Sequence, residues 1–257
     1  MPTNGELVRA IESSLHVYPP IPGKLEPIAV AGVRARVTPI SHALANLVGM
    51  ADLAPAAVDA TVDRLRAAYG TKVFGWMVGP LTRPSDLGTR LAARGFTGPA
   101  RIAGLALTDL AIPIAGVGAA SVREVSGQQA LAESEMVGRA YGLPTDVARL
   151  FLEIYFAPNG PRCRGYFAYV GDRPVAWSFL VYLDAPFVLL GGAGTLPEHR
   201  GRGLYTALVA RRLADARADA RTAAVIQADR ETSAPICAKL GFRELCGLEL
   251  FVAPKQA

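Results

Sequence analysis

The chain has 257 residues, 51% of them hydrophobic and 19% charged, with a net charge of +5. That balance suits one or two globular domains with a substantial core. It leaves little room for a zinc site, since only three histidines exist and they lie far apart, for a spanning helix, since no apolar run reaches roughly 18 residues, or for a nucleic-acid surface, since no Lys/Arg block is interleaved with aromatics.

In chain order, Asn4 is read as the cap of a helix over Gly5–Leu15, with Leu7, Ala10 and Ile11 inward. Tyr18 to Gly23, rich in proline, ends it. Ile28–Thr38 reads as extended chain around Gly32, and Ile40–Met50 as helical. Pro55 opens a helix in which Val58, Val62, Leu65 and Ala68 recur on one face. Val73–Val78 is a strand apolar on both faces, so it needs cover on each. Ser85 is the expected cap of a helix over Asp86–Arg94 that Gly95 stops, and Ile102–Leu110 is the next strand. Ile112–Ala120 reads as a linker of small residues.

After it come a strand over Ser121–Val125, a helix over Gln128–Tyr141, and a second helix capped by Thr145 with Val147, Leu150, Phe151 and Ile154 inward. Arg164–Val170 and Val175–Tyr182 form a hairpin, and Phe187–Thr195 pairs next. Leu204, Leu208 and Leu213 then share a helical stripe with Ala207 and Val209 beside it; Arg211, Arg212, Asp215 and Arg217 are assigned to the surface. Val225–Ala228, Ser233–Leu240 and Leu245–Val252 read as strand, helix and strand. Leu91–Phe96 parallels Cys237–Phe242, so both halves close on strand, helix, Gly-Phe and strand, which we read as an internal duplication.

The chemistry concentrates at Glu198-His199-Arg200-Gly201-Arg202-Gly203, where a strand feeds a helix. The first N–H groups of a helix lack partners and its dipole makes that end positive. Glycines let a ligand approach the backbone, and Arg200 and Arg202 add charge-assisted donors. A phosphate is the natural guest; the bland alternative is an ordinary turn with solvated arginines.

The longer stretch Pro197–Leu208 resembles the acetyl-CoA loop of the GNAT N-acetyltransferase superfamily, R/Q-x-x-G-x-G/A. Arg200 and Gly203 meet the pattern; Tyr205 replaces a small residue at its last place. Downstream, Ser233–Phe242 looks like the family's late helix ending in K-L-G-F. The resemblance covers about Val122–Val252 and implies a tandem GNAT-like α/β (α+β) fold, with a mixed central sheet flanked by helices. Residues 1–112 would be a degenerate GNAT-like domain and 119–257 the acetyltransferase domain. No Arg-Gly-rich loop precedes the Pro55 helix, so the first half is expected to hold no cofactor.

The resemblance further implies an acetyl-CoA-dependent N-acetyltransferase acting on a primary amine by direct attack, with no metal. It assigns Ala193 and Thr195 to the pantetheine arm, and the loop Arg200, Gly201, Arg202, Gly203, Leu204, Tyr205 and Thr206 to the pyrophosphate. Aligning on K-L-G-F puts Cys237 where many members carry a tyrosine acid, and a buried structural thiol is the preferred reading. Phe187–Thr195 lacks the usual Glu base. Glu153 faces either the acceptor pocket or solvent, and Tyr155 and Tyr205 are further candidate hydroxyls, so catalytic acid and base stay unassigned. His199 is read as a solvated loop residue, Trp76 and Trp177 as core or domain-interface residues. The other function class is a non-catalytic acyl-CoA-binding regulatory protein. Three cysteines without C-x-x-C spacing, and an N-terminus that is neither signal nor anchor, lead to an expectation of a cytoplasmic protein. Its expected partners are acetyl-CoA and a small-molecule or peptide amine, with no nucleic acid and no membrane; a homodimer is compatible with the sequence.

Overall fold

The computed structural model describes residues 1–114 and 120–254, so the middle of the expected linker lies outside the described residues. The first half runs α1 (Asn4–Ser13), β1 (Glu26–Ile28), β2 (Arg34–Val37), β3 (Leu47–Gly49), α2 (Val58–Tyr69), β4 (Phe74–Val78), α3 (Leu87–Ala93) and β5 (Thr97–Leu107). The second runs β6 (Ser121–Val125), α4 (Gly127–Ala132), α5 (Ser134–Tyr141), α6 (Thr145–Tyr155), β7 (Cys163–Val170), β8 (Arg173–Tyr182), β9 (Phe187–Leu189), β10 (Ala193–Thr195), α7 (Leu204–Ala218), β11 (Ala223–Asp229), α8 (Ser233–Lys239) and β12 (Arg243–Ala253).

Most elements fall where periodicity places them, and the departures have local causes. Thr3, not Asn4, caps α1: its hydroxyl accepts the Glu6 N–H while the Glu6 carboxylate accepts the Thr3 N–H at 2.7 Å. Asn4 instead accepts a hydrogen bond from Arg243. Ile40–Met50 is not a helix. The buried Asn46 side chain accepts the Thr38 N–H and donates to the carbonyls of Ile40 and Val73. It thereby satisfies extended backbone and lets Leu47–Gly49 enter the sheet as β3. The single helix expected over Gln128–Tyr141 breaks at Glu133 into α4 and α5. Ser85 caps nothing, because α3 starts later, behind Asp86, whose carboxylate binds Arg90. Thr145 is the first residue of α6 behind Pro144, not its cap.

All twelve strands join one sheet in the order β1-β2-β3-β4-β12-β5-β11-β9-β8-β7-β6, with β10 pairing on β8. The halves are interleaved. β12 from the second half lies between β4 and β5 of the first, and β5 lies between β12 and β11. Among the named strands, two pairs are parallel: β3 with β4, and β9 with β11. They occupy equivalent places, each before and after a helix, α2 in one half and α7 in the other. The Gly-Phe pairs match as well. Gly95 and Gly241 have φ of +81° and +90°, and the next amide, Phe96 or Phe242, donates to Leu91 or Cys237 at 3.1 Å.

The largest core lies under the second half and includes Leu7 and Ile11 of α1. A second core gathers Val62, Leu65, Phe74, Trp76 and Phe96 with Phe251 of β12. A third, small cluster packs Ile21, Leu25 and Ala45 of the first half on Leu150 and Ile154 of α6. Trp76 and Trp177 are both buried core residues.

Candidate functional site

The site begins at a break in a strand. β9 runs parallel to β11 from Phe187 opposite Ala223 to Leu189 opposite Val225, and the last tie is the Leu190 N–H to the Val225 carbonyl at 2.9 Å. At Gly191 and Gly192 the chain turns away. The Phe179 N–H donates to both their carbonyls at 3.1 Å, and β10 continues on β8 alone, with Ala193 opposite Ser178 and Thr195 opposite Ala176. β11 meanwhile continues along β5 to Asp229. The run Phe187–Thr195 is therefore two strands, not the single one expected, and a wedge opens between β10 and β11. The glycines are needed for space. A Cβ on Gly192 would stand 2.9 Å from the Trp177 ring, and one on Gly191 would stand 3.3 Å from the Tyr155 hydroxyl.

The loop lies at the mouth of this wedge. Gly201 and Gly203 have φ of +75° and +74°, the left-handed region that favours glycine. Gly203 is the N-cap residue just before α7, and a Cβ on Gly201 would meet open space. Among the described residues, no protein group accepts the N–H groups of Gly201 to Thr206. They form a run of free donors at the positive end of a fifteen-residue helix. Arg200 is partly spent inside the loop, since its Nε donates to the Thr195 carbonyl at 3.2 Å. Glu198 pairs with Arg139 at 3.2 Å. His199, expected to be solvated, has its Nδ1 buried without a partner.

Two side chains of α7 depart from the sequence reading. Tyr205, where the motif has a small residue, reaches across to α8, and its hydroxyl lies 3.4 Å from the Cys237 sulfur. Burial pushes both the phenol and the thiol above their ordinary pKa values. Arg212 is not on the surface: its relative exposure is 0%. Its Nε donates to Leu208, and its Nη1 to Phe179 at 3.2 Å and to Gly191 at 3.5 Å. The signal was present in the spacing, because Leu204, Leu208 and Arg212 succeed one another at i, i+4 on the buried stripe; the charge argued the other way.

The remaining candidate groups separate. Glu153 is held by Lys24 and by Arg149, the latter at 3.4 Å, so its carboxylate is committed to ion pairs. Tyr155 stacks on Phe179 with ring centroids 3.9 Å apart, and its hydroxyl hydrogen-bonds that of Tyr18 at 2.8 Å. Burial raises both phenols. Tyr18 belongs to the first half, so that half contributes directly to the surroundings of the break. No sequence signal singled out Tyr18.

Six buried side-chain nitrogen or oxygen atoms lack a hydrogen-bond partner among the described residues: His16 Nε2, Trp76 Nε1, Trp177 Nε1, Ser178 Oγ, His199 Nδ1 and Arg212 Nη2. The last four border the wedge or its loop. Buried polar groups are normally satisfied, so the unpaired polar atoms of the described residues concentrate around this break in the sheet. Thr206 also borders a groove lined by Ile112, Pro113, Ile236 and Lys239.

The equivalent place in the first half is closed. Beyond β3 the chain pairs again, with the Arg83 N–H on the Ala51 carbonyl at 2.8 Å and the Leu53 N–H on the Arg83 carbonyl at 3.1 Å. The Glu12 carboxyl lies against Gly79, just past β4, and accepts the Leu81 N–H at 3.0 Å.

Residues 129–242 match the sequence model of the Acetyltransferase (GNAT) family. The whole chain is similar in fold to a GCN5-related N-acetyltransferase from Kribbella flavida, at 18% identity and TM-score 0.68, with 91% of each chain covered. It is similar to a tandem GNAT protein from the clavulanic acid biosynthesis pathway, at 15% identity and TM-score 0.60, covering 99% of this chain and 95% of that one. A conserved protein of unknown function from Staphylococcus epidermidis aligns at 12% identity and TM-score 0.63, covering 92% and 96%. No curated protein matches by sequence.

Proposed function

We propose that this chain, which carries a GNAT-family acetyltransferase domain at residues 129–242, transfers an acetyl group from acetyl-CoA to a primary amine. The observation that carries the reading is the wedge between β10 and β11 with the free N–H run of Gly201–Thr206 at its mouth. The loop donors and the terminal nitrogens of Arg200 suit a pyrophosphate. Ala193 and Thr195, on the strand edge that turns away from β11, suit the amide groups of a pantetheine arm. The groove beside Thr206 extends the site at its nucleotide end.

In this reading the amine nitrogen attacks the thioester carbonyl, the C–N bond forms and the C–S bond breaks. The sulfur takes a proton, and the amine gives one up to water. Holding the two reactants together supplies a large part of such a rate enhancement. The catalytic acid and base are not assigned. We take the boundaries 1–112 and 119–257, for a degenerate GNAT-like unit and the transferase unit, as part of the proposal. So too is a cytoplasmic location; no helix among the described residues is long and apolar enough to cross a membrane.

A second reading, an acyl-CoA-binding regulatory protein without catalysis, is favoured by two observations. Cys237 stands where the family's acid is expected, and Glu153 is tied up in ion pairs. Incubation with acetyl-CoA and an amine panel, following free thiol, separates the two. Thiol release above the hydrolysis background is the expected result. CoA binding without release for any amine favours the regulatory reading. No rise in melting temperature at millimolar CoA overturns both, because a ligand selective for the folded state must stabilise it.

A further inference from the structure

A guanidinium taken out of water is expensive unless it is paired. Arg212 is fully buried, and among the described residues no carboxylate pairs with it. Its charge is met by the carbonyls of Leu208, Phe179 and Gly191. Two of these three belong to the strand break. Gly191 is the residue at which the chain leaves β11, and Phe179 is the residue whose N–H gathers in the carbonyls of Gly191 and Gly192. Arg212 therefore ties the helix that starts at the loop to both sides of the turn that opens the wedge. Its Nη2 is left without a partner. Tyr205 and Cys237 are polar groups near it, and Trp177 and Ser178 of β8, paired with β10, carry two more unpartnered atoms.

We propose that Arg212 is the positioning residue of the wedge: through the Phe179 and Gly191 carbonyls it fixes the departure of β10 from β11 at Gly191–Gly192, and so sets the width of the gap for the acyl-thioester end of a chain threaded through it. This rests on the acyl-CoA reading above. It assigns a division of labour along the site. The loop Gly201–Thr206 grips the nucleotide end, and Arg212, about two helical turns further along α7, governs the other end. An arginine suits this task, because its planar fork reaches three carbonyls at once, one from Nε and two from Nη1.

The test uses the full chain and two probes, CoA and its nucleotide half, 3′-phospho-ADP. Both are titrated calorimetrically into the wild type, Arg212→Met and Arg212→Lys. The nucleotide half should bind all three proteins alike. CoA affinity should fall at least tenfold in Arg212→Met and recover in part in Arg212→Lys. With an amine that supports transfer, the KM for acetyl-CoA should rise more than kcat falls. A folded Arg212→Met with unchanged CoA affinity overturns the inference. Equal weakening of both probes also overturns it, since that is general damage. If Arg212→Met does not fold, Arg212→Lys decides on the same criteria. Failure of both to fold makes the arginine a folding element and overturns its positioning role. A wild type that binds neither probe fails the acyl-CoA reading itself, an outcome distinct from these.

Discussion

The Tyr205 hydroxyl and the Cys237 sulfur, 32 residues apart in sequence, lie 3.4 Å from each other and join the first turn of α7 to α8. Each is kept protonated at neutral pH, because burial raises both above their ordinary values. The thiol is wholly buried, which is the setting of a packing residue.

Cys237→Ala should therefore retain most acetyl transfer. The loss should appear in stability, on the order of 1 kcal/mol for a small buried group. Melting curves and initial rates on the same preparation check this. A rate loss of about a hundredfold or more, the scale of a true general acid, would assign the thiol a chemical role instead.

Gly203→Asp should abolish CoA binding in a folded protein. An added carboxylate would stand at the helix N-terminus where a phosphate is expected and repel it. The position has φ of +74°, so backbone strain of about 1 kcal/mol accompanies any side chain there. Gly203→Asn carries the strain without the charge and serves as control. Calorimetry should show weak binding to Gly203→Asn and none to Gly203→Asp. Equal CoA affinity in both would remove the loop charge from the mechanism.

One CoA should bind per chain. In the first half the gap beyond β3 is sewn up by the Ala51–Arg83–Leu53 hydrogen bonds. Asp52 lies near the start of α2 and would repel a phosphate there. A calorimetric stoichiometry of two would contradict both points.

His16 should make stability acid-sensitive. Burial first, and then the nearby Arg36 and Arg34, push its pKa from an ordinary 6.5 down to about 3. Between those values the unfolded chain binds a proton that the folded one does not, so stability is full above 6.5 and is lost as pH falls toward 3. The expected slope from one such proton is about 1.4 kcal/mol per pH unit. Urea titrations of wild type and His16→Gln from pH 7 to pH 4 measure it. Parallel curves for the two proteins would show that His16 does not titrate this way.

The sequence by itself determined the loop and most of the order of the elements, though not the strand within Ile40–Met50 or the break between α4 and α5. The Arg200–Gly203 segment is legible because its chemistry is local: glycines in left-handed conformations, an abrupt helix start, and free N–H groups all follow from neighbouring residues. The duplicated ending is legible for the same reason, since Gly95-Phe96 and Gly241-Phe242 close their helices with identical short-range hydrogen bonds. The break at Gly191–Gly192 was not legible. Phe187–Thr195 is apolar and small throughout, and only the competition between β8 and β11 for its backbone divides it. Tertiary structure also decided the interleaving of β12 between β4 and β5, the entry of Tyr18 from the first half, and the burial of Arg212. Each depends on partners more than 20 residues away. Periodicity reports which face of an element is apolar, and it carries no information about which distant carbonyls or hydroxyls will meet that face.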